Sequence, residues 1–340
     1  MFEVETNLWL QQFNAPWILA WMQILSEAGK AVVYSMLLLA LAFGFRLRPM
    51  LGVMLALVLA GVATDTVKQG FAFPRPSEVD ARVLDKGREG KHLVAYGAAT
   101  TFWSLPTEEA IDAARATGDH DYGFLSGHVA EAGAWALALI GLLRLRRRRW
   151  VLLMLAWPIL IAISRLYLGR HFPADVLGGL VVGGAAAAIA ITLMREISAS
   201  GARAHRAWLV SGVVALVLCG LSFIADPLDP YQAGSVAGAL VCIGWLEWRG
   251  WPRDEASPVR RGLRAAVCMA FVMVSGWLLE QLHSLGAWPD GSRVGYLFAL
   301  VGFPVVIIGA VSLAQTLGLY GVSGQDGTTT MIDSNESAPD

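Results

Sequence analysis

The stretch SRLYLGRHFPADVLGG, residues 164–179, joins two long apolar runs. Arg165 closes the first run, and His171 and Asp175 stand at the head of the second. Pro173 suits the first turn of a helix, because its missing N–H is one of the donors that a helix start leaves unpaired. Ionisable side chains at the ends of apolar spans are expensive to keep and mark functional positions by default. The stretch therefore predicts two membrane helices with a polar site at their shared end.

The rest of the chain agrees with that reading. It has 340 residues, of which 56% are hydrophobic and only 16% charged, and its mean hydropathy is +0.54. Soluble domains carry about 25% charged residues. Apolar runs recur along the length, at roughly 30–45, 50–68, 127–143, 150–165, 173–194, 207–225, 232–248, 264–283 and 294–318. Runs of this kind define an all-α polytopic membrane protein, and the alternating pattern of a membrane barrel is absent. Residues 7–27, broken by Asn14-Ala15-Pro16, read as an interfacial or re-entrant helix. Cys219, Cys242 and Cys268 lie inside apolar runs and read as small core residues, not as a disulfide or zinc framework. The acidic N-terminus lacks the basic region of a cleaved signal peptide.

Arginine clusters fall between alternate runs: Arg46 and Arg48, Arg144 to Arg149, Arg195 to Arg206, and Arg249 to Arg264. The positive-inside rule places all four in the cytoplasm. Segments 76–126, 166–172, 226–231 and 284–293 then face outside. The polar tail 319–340 is expected to be a disordered cytoplasmic extension. The long segment 76–126 contains a helix start, with Thr107 as cap and Glu108 and Glu109 in its first turn. A lid over the site and a plain surface excursion are equally compatible with this segment.

Three polar islands fall on the outer side. The first ends the second run, with Lys68 and Arg75. The second begins the third run, with Ser126 as N-cap, Gly127 and His128. Free N–H groups at such a helix start bind anions readily. The third is the opening stretch, where the spacing of four places His171 and Asp175 within reach of each other. A carboxylate on one imidazole nitrogen fixes the tautomer and leaves the other nitrogen as nucleophile or base. Three cations, two histidines, one carboxylate and a helix start suit a phosphate and its transition state.

Lys68-x6-Arg75-Pro76, Ser126-Gly127-His128 and Ser164-Arg165-x5-His171-x3-Asp175 together resemble the three-part signature of the type 2 phosphatidic acid phosphatase superfamily, over roughly residues 7–195. The resemblance implies a phosphatase-type bundle of about five or six helices within residues 1–200. About four further transmembrane helices, 201–318, would follow it. It implies that His171 attacks phosphorus to form a phosphohistidine, that Asp175 orients His171, and that His128 protonates the leaving group and then activates water. Lys68, Arg75 and Arg165 would clamp the phosphate, with Ser126 and the N–H of Gly127 adding hydrogen bonds. No metal or other cofactor is implied. Leu125 stands where the family has proline; that residue shapes the turn and takes no chemical part, so activity is expected to survive.

The expected partners are a lipid phosphate and the surrounding membrane lipids, with no nucleic acid. Undecaprenyl diphosphate, phosphatidylglycerol phosphate and phosphatidate are the candidate substrates, the isoprenoid diphosphate slightly first. A phosphotransferase using the same phosphohistidine is the alternative. A degenerate transporter or scaffold is opposed by the intact residue set. Residues 207–318 could shape a lipid path, mediate oligomerisation or hold a protein partner. Asp65, His120 and Asp121 could each line the site, with solvation at the surface the safer reading, and Glu131 could tune His128 or face loop water. Gly179 and Gly183 have the spacing for close helix contact.

Overall fold

A computed structural model describes residues 1–86, 92–118, 121–197, 202–222, 228–286 and 293–321. The described residues form helices with two isolated bridges, Asp80 with Tyr96 and Arg253 with Gly321. The helices are α1 (Glu5–Gln11), α2 (Pro16–Ala28), α3 (Ala31–Gly44), α4 (Leu47–Phe71), α5 (Pro76–Val79), α6 (Glu108–Ala116), α7 (Gly127–Leu142), α8 (Arg148–Tyr167), α9 (Pro173–Ile197), α10 (Ala202–Ser222), α11 (Pro230–Arg249), α12 (Pro258–Leu285) and α13 (Arg293–Thr316). Each of the nine expected apolar runs is a helix. The break at Asn14-Ala15-Pro16 separates α1 from α2, and α2 meets α3 at a bend of 59°.

Among the described residues, five segments are long and apolar enough to cross a membrane: Leu47–Val79, Arg148–Tyr167, Pro173–Glu196, Pro258–Leu282 and Val294–Thr316. The bent pair α2 and α3 makes a sixth if it counts as one span. α7 is shorter, and α11 is less apolar than the sequence reading assumed. The reason is burial against protein. α11 is rich in small residues and packs Gly234 and Gly238 against the backbone of α13 at Tyr296 and Ala299. A helix covered by neighbours needs less hydrocarbon surface than one facing lipid.

Two contacts position the site. α7 and α9 cross closely, because Gly179 and Gly183 face the backbone of α7 at Ser126 and Ala130. A side chain at either glycine would overlap that backbone. α4 packs between α7, α9 and α11, so its C-terminal end lies beside the start of α7. Burial of Val53, Leu55, Ala60, Val129, Ala134 and Ala187 in one apolar cluster holds the three helices together.

The segment between α4 and α7 is folded. Phe73, Val79, Val83, Ala99, Ala110 and Ile111 form a second apolar cluster with Phe2, Val4 and Phe172. Thr107 caps α6 as expected, accepting from the N–H of Ala110 at 3.3 Å. Because Phe172 belongs to this cluster, the folded segment and the N-terminus bear directly on the residue beside His171.

At the opposite end, Arg264 is fully buried and donates to the carbonyls of Phe43 and Asp254, fastening α12 to α3. Its guanidinium stacks on Tyr320 at 4.3 Å. Leu319 and Tyr320 are therefore packed, not part of a loose tail; the expectation for 322–340 lies outside the described residues. Cys242 and Cys268 are buried and unpaired; the side chain of Cys219 lies outside the described ones.

Replacing Gly183 by leucine should force α7 and α9 apart, a cost of about 1–3 kcal/mol for overpacking. Thermal unfolding in detergent should show a lower Tm. Gly262→Ala, where a Cβ meets nothing within 4 Å, should leave Tm unchanged or raise it.

Candidate active site

α4 ends at Ala72, whose left-handed backbone (φ 52°) turns the chain sharply after Lys68. The following Phe73-Pro74-Arg75-Pro76 run is extended and leads into α5. There the N–H of Arg75 donates to Glu78 at 2.7 Å. Arg75 is buried. Its Nε donates to the carbonyl of Asp121 at 2.9 Å, and its Nη2 pairs with the Asp121 carboxylate. Its Nη1 is buried without a partner.

Ser126 occupies the N-cap position of α7, as expected, but its hydroxyl does not cap the helix. Its N–H donates to the carbonyl of Asp175 at 3.0 Å, and its buried Oγ has no partner. Gly127 opens the helix with Thr64 of α4 beside it, and the Thr64 hydroxyl is also buried without a partner. His128 is half-buried one residue further on.

Arg165, at the end of α8, is buried and donates from Nη1 to the Ser26 hydroxyl at 2.6 Å. Its Nε has no partner. Arg75 Nη1, Arg165 Nε, Ser126 Oγ and Thr64 Oγ1 thus leave hydrogen-bonding capacity unused in a buried place. Buried polar groups are normally satisfied, so such a cluster calls for a ligand or water.

His171 is 2% exposed and Asp175 is fully buried. The Asp175 Oδ2 accepts from the N–H of Phe172 at 2.8 Å, which aims it at His171 Nδ1, 3.3 Å away. The nearer partner of Nδ1 is the carbonyl of Gly123 at 2.9 Å. A carbonyl only accepts, and so does a carboxylate. Nδ1 must therefore carry the proton, and Nε2 presents a lone pair. Gly123 is itself held by its N–H, which donates to Phe73 O at 2.7 Å, and a Cβ there would lie 2.6 Å from Pro74 O. Asn7 donates to the carbonyls of His171 and Leu166 at 3.0 and 2.8 Å, tying α1 to the same turn.

Burial pushes the His171 imidazole well below its ordinary pKa, and the positive charges of Arg165, Arg75, Lys68 and His128 push it the same way. All three islands therefore bear on one ring. His171 stays neutral through neutral pH, which a nucleophile requires.

Three residues escaped the sequence reading. Gly123 lies three residues before Ser126 and carries no chemical signal. Asp121 was expected to be solvated, yet its carboxylate meets both Arg75 and Arg170. Arg170 is buried and pairs with Asp85 at 2.7 Å and with Asp121 at 3.3 Å. It was legible as a second arginine beside His171 in the quoted stretch. Asp65 is not simply solvated either: Gln232 of α11 donates to its carboxylate. Glu131 is half-buried. His120 lies outside the described residues.

The fold and site define a polytopic helical membrane protein with buried arginines around a buried histidine. Residues 49–199 match the family model of the PAP2 superfamily. A 77-residue stretch is 38% identical to phosphatidylglycerophosphatase B of Escherichia coli K12, covering 22% of this chain and 30% of that protein. A 64-residue stretch is 38% identical to lipid A 4'-phosphatase of Bacteroides thetaiotaomicron, covering 18% and 27%. Phosphatidylglycerophosphatase B of Haemophilus influenzae is 27% identical over 188 residues, covering 46% and 74%. The match thus spans less than a third of the Escherichia coli and Bacteroides relatives. The crystal structure of Aquifex aeolicus LpxE superposes with a TM-score of 0.41 at 21% identity, covering 56% of this chain and 96% of that one.

Gly123→Ala should press on Pro74 and pull the carbonyl off Nδ1. A loss of about 10- to 100-fold in kcat is expected from partners that orient an imidazole in this way, with the folded yield retained. Phosphate-release kinetics beside a thermal melt check both halves.

Proposed function

We propose that the chain is an integral-membrane lipid phosphatase that cleaves a phosphomonoester or diphosphate headgroup through a phosphohistidine at His171. One observation carries the reading: an imidazole with its proton held at Nδ1, in a chain that also buries unpaired guanidinium and hydroxyl groups of Arg75, Arg165, Ser126 and Thr64. In this reading Nε2 of His171 attacks phosphorus, and the bond to the leaving oxygen breaks. His128, in its protonated form, gives a proton to that oxygen. Water then gives a proton to His128 and attacks the phosphohistidine, releasing inorganic phosphate and restoring Nε2. Lys68, Arg75 and Arg165, with Ser126 and the N–H of Gly127, hold the phosphate oxygens and stabilise the charge that grows on them. Asp175 and Gly123 stabilise the ring as it becomes cationic. The cations serve where other phosphoryl-transfer sites use metal ions.

The candidate substrates are undecaprenyl diphosphate, phosphatidylglycerol phosphate and phosphatidate, the isoprenoid diphosphate slightly first. The relatives' names support the phospholipid and lipid A classes as comparators. The basic loops favour an inner-membrane protein with the site facing outside and the C-terminus in the cytoplasm. A 1–200 phosphatase unit followed by a 201–318 helical unit is the proposed domain division. Transfer of the phosphate to another acceptor is the competing reading, favoured by the folded segment over Phe172 that would keep water out.

Purified wild-type protein should release phosphate from at least one of the three lipids in the presence of EDTA, and His171→Ala should release none. Phosphate appearing on an acceptor instead of in solution would establish the transferase. No reaction with any lipid would overturn both readings.

The pH profile tests the electrostatics. The folded pKa of His171 lies below its unfolded value, so the ring is protonated only as pH falls under the ordinary imidazole range of about 6.5. The acid limb of kcat/KM, which reports the free enzyme, should fall below that pH. Arg165→Leu removes the largest charge acting on the ring. It should raise the acid limb and cost about 10²–10³ in kcat/KM.

A further inference from the structure

Helices α11, α12 and α13 line a half-open pocket of about 470 Å³ against α3 and α4. That size is ordinary for a ligand site. Its walls are apolar, with Leu39 from α3, Met54 and Val58 from α4, Gly276 from α12, and Phe303 and Ile307 from α13. Its polar members are Ser35, Tyr231, Ser235 and Glu280. All four lie towards the end of the bundle that carries the site. The N-terminus of α3 is there, since Ser26, a few residues before it, accepts from Arg165 at 2.6 Å. The N-terminus of α11 is there, since Gln232 reaches Asp65, one turn before Lys68. α12 runs antiparallel to α3, because Arg264 meets Phe43 at the far end. The cavity thus has a polar end beside the site and an apolar end in the bundle interior.

Met54, Val58 and Asp65 are spaced by four and seven and share one face of α4. Lys68 follows Asp65 by three and borders that face. From Val58 to Lys68 the helix rises about 15 Å, which is half the thickness of a bilayer's hydrocarbon core. A lipid whose phosphate is held at Lys68 carries its chain down this face to the depth of Val58 and Met54.

We propose that this cavity takes a hydrocarbon chain of the lipid phosphate that reacts at His171. α11, α12 and α13, which lie beyond the matched residues 49–199, then select the lipid by its chain. The inference rests on the phosphatase reading for the identity of the lipid, and on the cavity for the site.

The test uses the full chain in detergent and a phosphatidate bearing a photoreactive diazirine at the end of a sixteen-carbon chain, about the length that reaches the bilayer midplane. Label is expected on peptides spanning Val272 to Glu280 and Phe298 to Ile307. Unlabelled long-chain phosphatidate should displace it and phosphatidylcholine should not. In Gly276→Phe the new side chain fills the cavity without backbone overlap, since a Cβ there meets nothing within 4 Å. Label should then fall, and KM for long-chain phosphatidate should rise about tenfold, the equivalent of roughly two buried methylenes. kcat/KM for a short-chain phosphatidate should hold, and Gly276→Ala should behave as wild type. Displacement by phosphatidylcholine as effective as by phosphatidate would make the cavity a place for bulk lipid and overturn the proposal. Phosphate release by wild type with no label in the cavity would overturn it too, while leaving the phosphatase reading intact. Label in the cavity with no release from any lipid would sink the phosphatase reading alone.

Discussion

The hydrogen bond from His171 Nδ1 to the Gly123 carbonyl requires four separate pieces of chain to meet at one point. Gly123 is placed by Phe73 and Pro74 after α4, and His171 by the turn between α8 and α9. The turn is held from outside by Asn7 of α1. Asp175 completes the arrangement from the first turn of α9, itself bound to the N–H of Ser126 at the start of α7. Loss of any one piece would free the ring to turn and to exchange its protonated nitrogen.

Charge sets the second condition. Arg75, Arg165 and Arg170 are all buried, and a buried cation without a partner is costly. Their partners differ in kind. Arg170 has the buried carboxylate of Asp85, Arg165 has only the Ser26 hydroxyl, and Arg75 has the half-exposed Asp121. A phosphate entering the site would meet Arg165 with Nε unused and Arg75 with Nη1 unused. Burial first, and then the same positive field, keep His171 unprotonated.

The helices beyond residue 199 are not a separate attachment in space. α11 packs along α4, α12 along α3, and the Gln232–Asp65 contact lies one turn from Lys68. The cavity between these helices shares α4 with the site. Any change in how α11–α13 seat would therefore be felt at Lys68.

The sequence by itself determined the membrane class, the order and rough limits of the helices, and the identity of His171, Asp175, His128, Lys68, Arg75, Arg165, Ser126 and Gly127 as the residues to watch. These were legible because apolar runs are local and because ionisable groups stand out against them. The Gly179 and Gly183 spacing also announced close packing correctly. Tertiary structure alone decided which groups touch. It made Gly123, and not Asp175 alone, the partner of Nδ1. It turned Asp121 from a solvated residue into the partner of two arginines, and left the Ser126 hydroxyl free where a cap was expected. It also let α11 stay buried with less apolar character than a lipid-facing span. Each of these depends on contacts between residues tens to hundreds of positions apart. A backbone carbonyl, a pairing choice or a covered helix face has no signature in the order of side chains along the chain.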